Sequence, residues 1–250
     1  MATTAVITGA ASGIGGATTE RILASGGRVL GIDLADGPRR EGLEWVRGDV
    51  AAQDTWAEVA GRLDALGWAP DALVTAAAYL VVGNVLEIGD DDWRRTFDVN
   101  VTGMVLAART VLPGMIARRR GAVVTVGSID SYMAEQGLIS YCASKGAIVQ
   151  FTRALALDHA RDGVRANCVC PGVTDTPFFR RHLDTASDPE RFLRAREQRN
   201  PLGRLLDPDE IAATIEFLIG DAASGITGAQ IVVDAGLTTG FDFRTGAEGA

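Results

Sequence analysis

The sequence predicts a doubly wound α/β fold: a parallel sheet with helices on both faces, forming a single domain over 1–250. Three observations predict it. Short apolar runs alternate with longer helical patterns from end to end, as βαβ units require. The runs are continuous rather than alternating, as expected of strands covered on both faces. Finally, 250 residues at 47% hydrophobic supply one sizeable core, and no repeat or linker divides the chain.

The predicted strands are 5–8, 29–33, 45–46, 72–76, 122–126, 164–169 and 230–233. Helical patterns fill 14–25, 91–118, 140–161 and 207–218, and a further helical stretch begins near Gln53. Residues 171–207 break the rhythm with prolines and scattered arginines, and one short helix is expected near 190–198. A long excursion at a strand end reads as a lid, here 176–206, or as a disordered loop. The Gly-rich tail 241–250 is expected to fray unless Phe241 and Phe243 anchor it.

Composition excludes several classes. A net charge of −8 disfavours a nucleic-acid partner, because an acidic surface repels phosphates. The three cysteines, Cys142, Cys168 and Cys170, lack a C-x-x-C pattern and read as reduced thiols of a cytoplasmic protein. Cys168 and Cys170 share one strand face and do not by themselves make a metal site, so no metal is expected. The N-terminus has no basic region and no apolar run of spanning length, so neither a signal peptide nor a membrane partner is expected.

The first strand runs into Thr8-Gly9-Ala10-Ala11-Ser12-Gly13-Ile14-Gly15 and then a helix. Glycines there let the backbone turn and approach a pyrophosphate, which the helix N-terminus attracts. The same pattern also suits a plain strand-to-helix turn, and context favours the nucleotide. Asp33 ends the second strand 18 residues after Gly15. Its carboxylate suits ribose hydroxyls and repels a 2′-phosphate. Leu34 and Ser12 offer no cation in its place, so NAD is favoured over NADP. A loop-capping role for Asp33 is the alternative. Asp49 and Val50 follow the third strand, where an adenine ring sits or where Asp49 caps the next helix.

Tyr141 and Lys145 lie four apart on one helix face. An ammonium beside a phenol favours the phenolate and makes it a base near neutral pH. Lys145 is the only lysine in a chain that otherwise uses arginine. That suits a site where a compact ammonium fits and a planar guanidinium does not. Ser128 ends the fifth strand, 13 residues before Tyr141, at the sheet edge where α/β folds bind ligands. It is placed to hold a substrate oxygen, though alone it is an ordinary strand-end serine. Asn100 sits inside a helix, where asparagine is unfavourable; a water linked to Lys145 would explain it.

Together these residues resemble the classical short-chain dehydrogenase/reductase family over essentially the whole chain. The matching parts are the 8–15 loop, Asp33, Asn100, Ser128, Tyr141, Lys145 and Pro171-Gly172-Val173-Thr174-Asp175-Thr176. The resemblance implies a Rossmann-like sheet of seven strands, a nicotinamide cofactor and an Asn-Ser-Tyr-Lys tetrad. It also implies that Lys145 binds the nicotinamide ribose and that Thr174 and Thr176 contact the carboxamide. Members are usually homotetramers built on two long helices; a homodimer is the alternative. One departure is that Thr75-Ala76-Ala77-Ala78 replaces the family's Asn-Asn-Ala-Gly, a segment that passes under the cofactor.

The substrate pocket is expected between the lid and Ile129, Asp130, Ala134 and Tyr79. Inward-facing lid arginines would suit an anion, but most are expected in solvent, as is His182. The implied activity interconverts a secondary alcohol and a ketone on a polar cyclic, polyol, sugar or hydroxy-acid substrate. The stretches 171–181 and 200–218 are also similar to those of dihydrodiol-acid dehydrogenases of the 2,3-dihydro-2,3-dihydroxybenzoate type. A non-catalytic NAD(H)-binding sensor is the contrasting class.

Overall fold

The computed structural model describes residues 2–240. Seven parallel strands form one sheet in the order β3-β2-β1-β4-β5-β6-β7. They are β1 (Thr4–Thr8), β2 (Arg28–Asp33), β3 (Leu43–Arg47), β4 (Ala72–Thr75), β5 (Gly121–Val126), β6 (Val164–Pro171) and β7 (Gln230–Val233). The fold is thus the Rossmann-like sheet the sequence implied. The chain reverses direction across the sheet between β1 and β4, which pair Val6 with Leu73 and Thr8 with Thr75. A crevice opens at such a switch point, at the carboxyl ends of the strands.

Side chains alternate along each strand, so one strand feeds two cores. Val6, Leu30, Leu73 and Val123 point to one face. There they meet α2 (Gln53–Leu66), α4 (Gly103–Arg118) and α5 (Ile139–His159). Ala5, Ile7, Val29, Val74 and Val124 point to the other, against α1 (Gly13–Ala24) and α8 (Pro208–Ile219). Ile211, Ile215 and Leu218 of α8 are fully buried there. Truncating one such side chain to alanine costs about 2–5 kcal/mol.

The segment Asp90–Arg118 is one continuous helical rod: α3 (Asp90–Phe97), a π turn (Asp98–Thr102) and α4. By length and composition it could cross a membrane, with a mean hydropathy of 1.4 over 18 residues. Half of that window is buried inside the fold, and Ala107, Val111 and Met115 pack on the sheet. It is a core helix.

The excursion after β6 holds two helices, α6 (Pro177–Leu183) and α7 (Pro189–Arg199). The sequence reading expected only the second. Thr176 caps α6 and Asp188 caps α7, each followed by proline at the first helical position. Asp207 and Pro208 start α8 in the same way, with Glu210 completing a capping box. The ends of the excursion are pinned together: Asp175 N donates to Leu206 O at 2.8 Å and Leu206 N to Val173 O at 3.0 Å. The proposed anchors Phe241 and Phe243 lie outside the described residues.

Candidate active site

A cleft of about 570 Å³ opens at the carboxyl ends of β1, β2, β4, β5 and β6. Its nucleotide half begins at the turn after β1. Gly9 has φ +68°, and a Cβ there would stand 2.8 Å from Ala77 N; a Cβ on Gly15 would stand 2.3 Å from Gly9 O. These two glycines are needed for backbone packing. Gly13, at φ +55°, faces Thr176 across the cleft, where a Cβ would meet the threonine methyl at 3.2 Å. Ser12, Ile14 and this glycine line the cleft at the start of α1. A helix N-terminus and a cradle that a side chain would fill fit a pyrophosphate.

Asp33 lines the same cavity at the end of β2. Its Oδ2 accepts from Ala11 N at 3.0 Å and its Oδ1 from Ala35 N at 3.1 Å. Two backbone amides therefore hold the carboxylate, so the loop-bracing and ligand-facing readings coexist. Asp49 and Val50 also line the cleft. Asp49 accepts from Ala51 N at 2.9 Å and pairs with Arg95 at 2.7 Å. Burial alone would raise its pKa; the Arg95 and Ala51 hydrogen bonds outweigh burial and lower it. It braces the turn, and Ala52, not Asp49, is the N-cap of α2.

The Thr75–Ala78 departure has a local compensation. Thr8 Oγ1 accepts from both Ala76 N (3.1 Å) and Ala77 N (3.2 Å), holding the strand under the cleft. The next residues are held by Asn100. Its Oδ1 accepts from Tyr79 N at 2.7 Å, while its Nδ2 donates to Tyr79 O at 3.0 Å and to Ser144 Oγ at 2.9 Å. Asn100 is buried in the π turn and does not line the cleft. Its side chain braces a loop and a helix and makes no bond to Lys145. Wide turns of this kind recur at functional sites.

Ser128, Tyr141 and Lys145 converge on the cleft wall. Ser128 caps a short turn: its Oγ accepts from Asp130 N at 3.0 Å and donates to Asp130 Oδ2 at 3.2 Å. Lys145 Nζ donates to Val126 O at 2.8 Å and stands 5.4 Å from the centroid of the Tyr141 ring. Burial pushes Lys145 down from 10.5 to about 8. Tyr141 departs from the sequence expectation. Burial, then the charge of Asp130, push its phenol above 10, and only the Ser128 hydroxyl opposes them strongly. No hydrogen bond joins the ammonium to the phenol oxygen among the described residues, and desolvation is the largest influence on the phenol.

Pro171, Gly172, Thr174 and Thr176, with Ala76 and Ala77, also line the cleft. Gly172 passes Asp234 so closely that a Cβ would lie 2.8 Å from its Cα. Beyond Tyr141 the cleft enters a chamber walled by Ile129, Asp130, Glu135, Phe178, His182 and Arg196. Three expectations are corrected there. Tyr79 packs on the core, with its hydroxyl 3.4 Å from Asp92, and does not line the chamber. Glu135 takes the wall position expected of Ala134. His182 is half-buried, and burial lowers its pKa. Of the lid arginines, Arg181 and Arg196 line the cleft; Arg196 pairs with Glu135, and its guanidinium lies 4.2 Å from the Phe192 ring.

The chain matches a family profile described as Enoyl-(Acyl carrier protein) reductase over residues 9–238. It is 37% identical to the meso-2,3-butanediol dehydrogenase of Serratia marcescens, over 93% of each chain. It is 36% identical to the cis-4-hydroxycyclohexanecarboxylate dehydrogenase of Sinomonas cyclohexanicum, over 94% of this chain and 96% of that one. The ligand-free aldohexose dehydrogenase of Thermoplasma acidophilum superposes with a TM-score of 0.91 at 29% identity, covering 97% of this chain and 96% of that one.

Proposed function

The chain belongs to the short-chain dehydrogenase/reductase family, and from that premise we propose that it is an NAD-dependent dehydrogenase of polar secondary alcohols. That it is an oxidoreductase using a nicotinamide cofactor follows from the family. The choice of NAD, the site residues and the substrate class are our reading. The observation that carries it is the convergence of Ser128, Tyr141 and Lys145 on the cleft whose other end holds Gly13 and Asp33.

In this reading the glycine turn and the N-terminus of α1 hold the pyrophosphate. The Asp33 carboxylate faces the adenosine ribose and disfavours a 2′-phosphate. Ser128 and Tyr141 hold the substrate oxygen; Tyr141 first gives up its phenolic proton to solvent, against the pull of its burial, and the phenolate Oη then takes the carbinol proton during oxidation. Lys145, fixed by Val126 O, holds the ribose, and its ammonium favours that phenolate. The bound nicotinamide supplies the hydride acceptor. Residues 176–206 act as a lid that keeps water from the chamber. The relatives act, by their names, on a diol, a cyclic hydroxy acid and an aldohexose; a polyol, sugar, cyclic alcohol or hydroxy acid is the corresponding class here. The reading includes a cytoplasmic homotetramer or homodimer, supported by exposed apolar side chains on the long helices, such as Trp93 and Leu157.

The test is a panel of polyols, sugars, cyclic alcohols and hydroxy acids with NAD⁺, followed by NADH absorbance, with Tyr141→Phe as control. Turnover that the variant loses supports the reading. Equal rates in both proteins reject Tyr141 as the base.

A further inference from the structure

The chamber beyond Tyr141 contains a carboxylate that the proton and hydride transfers leave unused. We propose that Asp130 is a specificity-determining residue that accepts a hydrogen bond from a second hydroxyl on the carbon beside the one oxidised, so that the substrate is a neutral vicinal diol. This rests on the dehydrogenase reading of the same cleft.

Position is the first argument. Asp130 lies two residues beyond Ser128 on the turn after β5, and its Oδ2 is 3.2 Å from Ser128 Oγ. Ser128 Oγ is where the reacting oxygen is held in our reading. Vicinal oxygens stand about a hydrogen bond apart, so a neighbouring hydroxyl falls beside the carboxylate next to Ser128. That hydroxyl would donate to Asp130 while its neighbour is deprotonated by Tyr141.

Satisfaction is the second argument. Among the described residues, the Ser128 hydroxyl is the one donor to the Asp130 carboxylate, and no basic nitrogen stands within 4.0 Å of it. A half-buried carboxylate with one hydroxyl partner has unused acceptor capacity aimed into a cavity. Its acidity agrees: burial, then Glu135, push Asp130 up to about 6. At neutral pH it remains the charged acceptor.

Charge decides what it accepts. Lys145 and Tyr141 line the cleft with it from α5, Glu135 from the loop before α5, and Arg181, His182 and Arg196 from the lid helices. Arg196 is already paired with Glu135. The lowered pKa of His182 keeps that ring neutral at pH 7. Arg181, also on the cleft wall, makes no ion pair among the described residues, and lactate in the test reads whether it draws an anion instead. A carboxylate on the carbon beside the carbinol would be set against the Asp130 carboxylate itself. A hydroxyl meets an acceptor.

The experiment compares oxidation of 2,3-butanediol, 2-butanol, lactate and 3-amino-2-butanol by the intact protein with NAD⁺. Wild type, Asp130→Ala and the near-isosteric Asp130→Asn are measured at pH 8. The expected result is a wild-type kcat/KM for the diol at least about 100-fold above 2-butanol, as sites built around a substrate hydroxyl show. That ratio collapses toward one in Asp130→Ala and partly survives in Asp130→Asn, whose amide oxygen still accepts. Three results overturn the proposal. They are no diol preference in wild type, a ratio unchanged by both substitutions, and a preference for lactate or the amino alcohol over the diol. If wild type turns over none of the four, the dehydrogenase reading fails separately. Calorimetric binding of the diol to the NAD⁺-loaded protein then still decides: binding at least about tenfold weaker in Asp130→Ala supports the role, and equal binding sinks it.

Discussion

Lys145 Nζ donates to the carbonyl of Val126, the last residue of β5, at 2.8 Å. One bond thus ties the chain's single lysine to the strand end that leads into Ser128. It fixes the ammonium beside the Tyr141 ring without reference to any ligand. Tyr141→Phe keeps the ring and removes the hydroxyl that we propose as the proton carrier. We expect kcat/KM to fall by about 10²–10⁴-fold, with NADH affinity, measured by fluorescence titration, changed less than about threefold.

Burial of Lys145 has a stability signature. The folded group titrates near 8 and the unfolded one near 10.5. Below pH 8 both states carry the proton and the native state bears the full desolvation cost. Between 8 and 10.5 the unfolded chain binds the extra proton, so stability rises with pH. The shift corresponds to roughly 3 kcal/mol. A Lys145→Met variant should therefore have its greatest advantage in melting temperature over wild type at pH 7, and that advantage should shrink by pH 10. A difference that does not vary with pH would refute the depressed lysine pKa.

Asp130 gives the opposite slope. Its folded pKa is raised from 3.8 to about 6 by burial and by Glu135, with the Ser128 hydrogen bond, Lys145 and Arg196 opposing. The native state binds the extra proton between 3.8 and 6, so its stability falls as pH rises through that window. Asp130→Asn should raise the melting temperature at pH 7 and lose that gain by pH 4. Calorimetric scans at the two pH values check it.

The glycine turn separates packing from propensity. Gly15→Ala would put a Cβ 2.3 Å from Gly9 O, and an overpacked core typically loses about 1–3 kcal/mol. Gly16 has nothing closer than 3.5 Å, so Gly16→Ala should gain about 0.5–1 kcal/mol from helix propensity alone. Urea unfolding of the two variants should move in opposite directions.

Asp33→Ser with Leu34→Arg tests the nucleotide preference. The two backbone amides that hold the carboxylate also hold the loop, so serine keeps a partial acceptor. NADP binding should rise and NAD binding fall, each by about tenfold or more, in equilibrium titrations. A variant that still prefers NAD would show that the preference resides elsewhere.

Local pattern made much of this legible. The Tyr141 and Lys145 spacing is a helix period, the 8–15 turn joins a strand to a helix, and both survive any error in helix boundaries. What pattern could not supply was direction in space. Arg196 is one of several lid arginines, and only the docking of α7 turns it toward Glu135. The helix α6 was hidden because Arg180, Arg181 and His182 mask its buried Phe179 and Leu183. The Thr176-Pro177 cap was the available signal. The raised Tyr141 phenol was not legible, because a four-residue spacing shows a neighbouring ammonium and says nothing of burial.

The pairing of Thr174 with Leu206 gives the chamber's roof a two-rung hinge pin at its root. Any replacement cassette that ends on the same pair and keeps Thr176, which faces Gly13, could be spliced in without disturbing the dinucleotide half. New alcohols would then come within reach by exchanging about thirty residues, while the redox machinery was inherited whole.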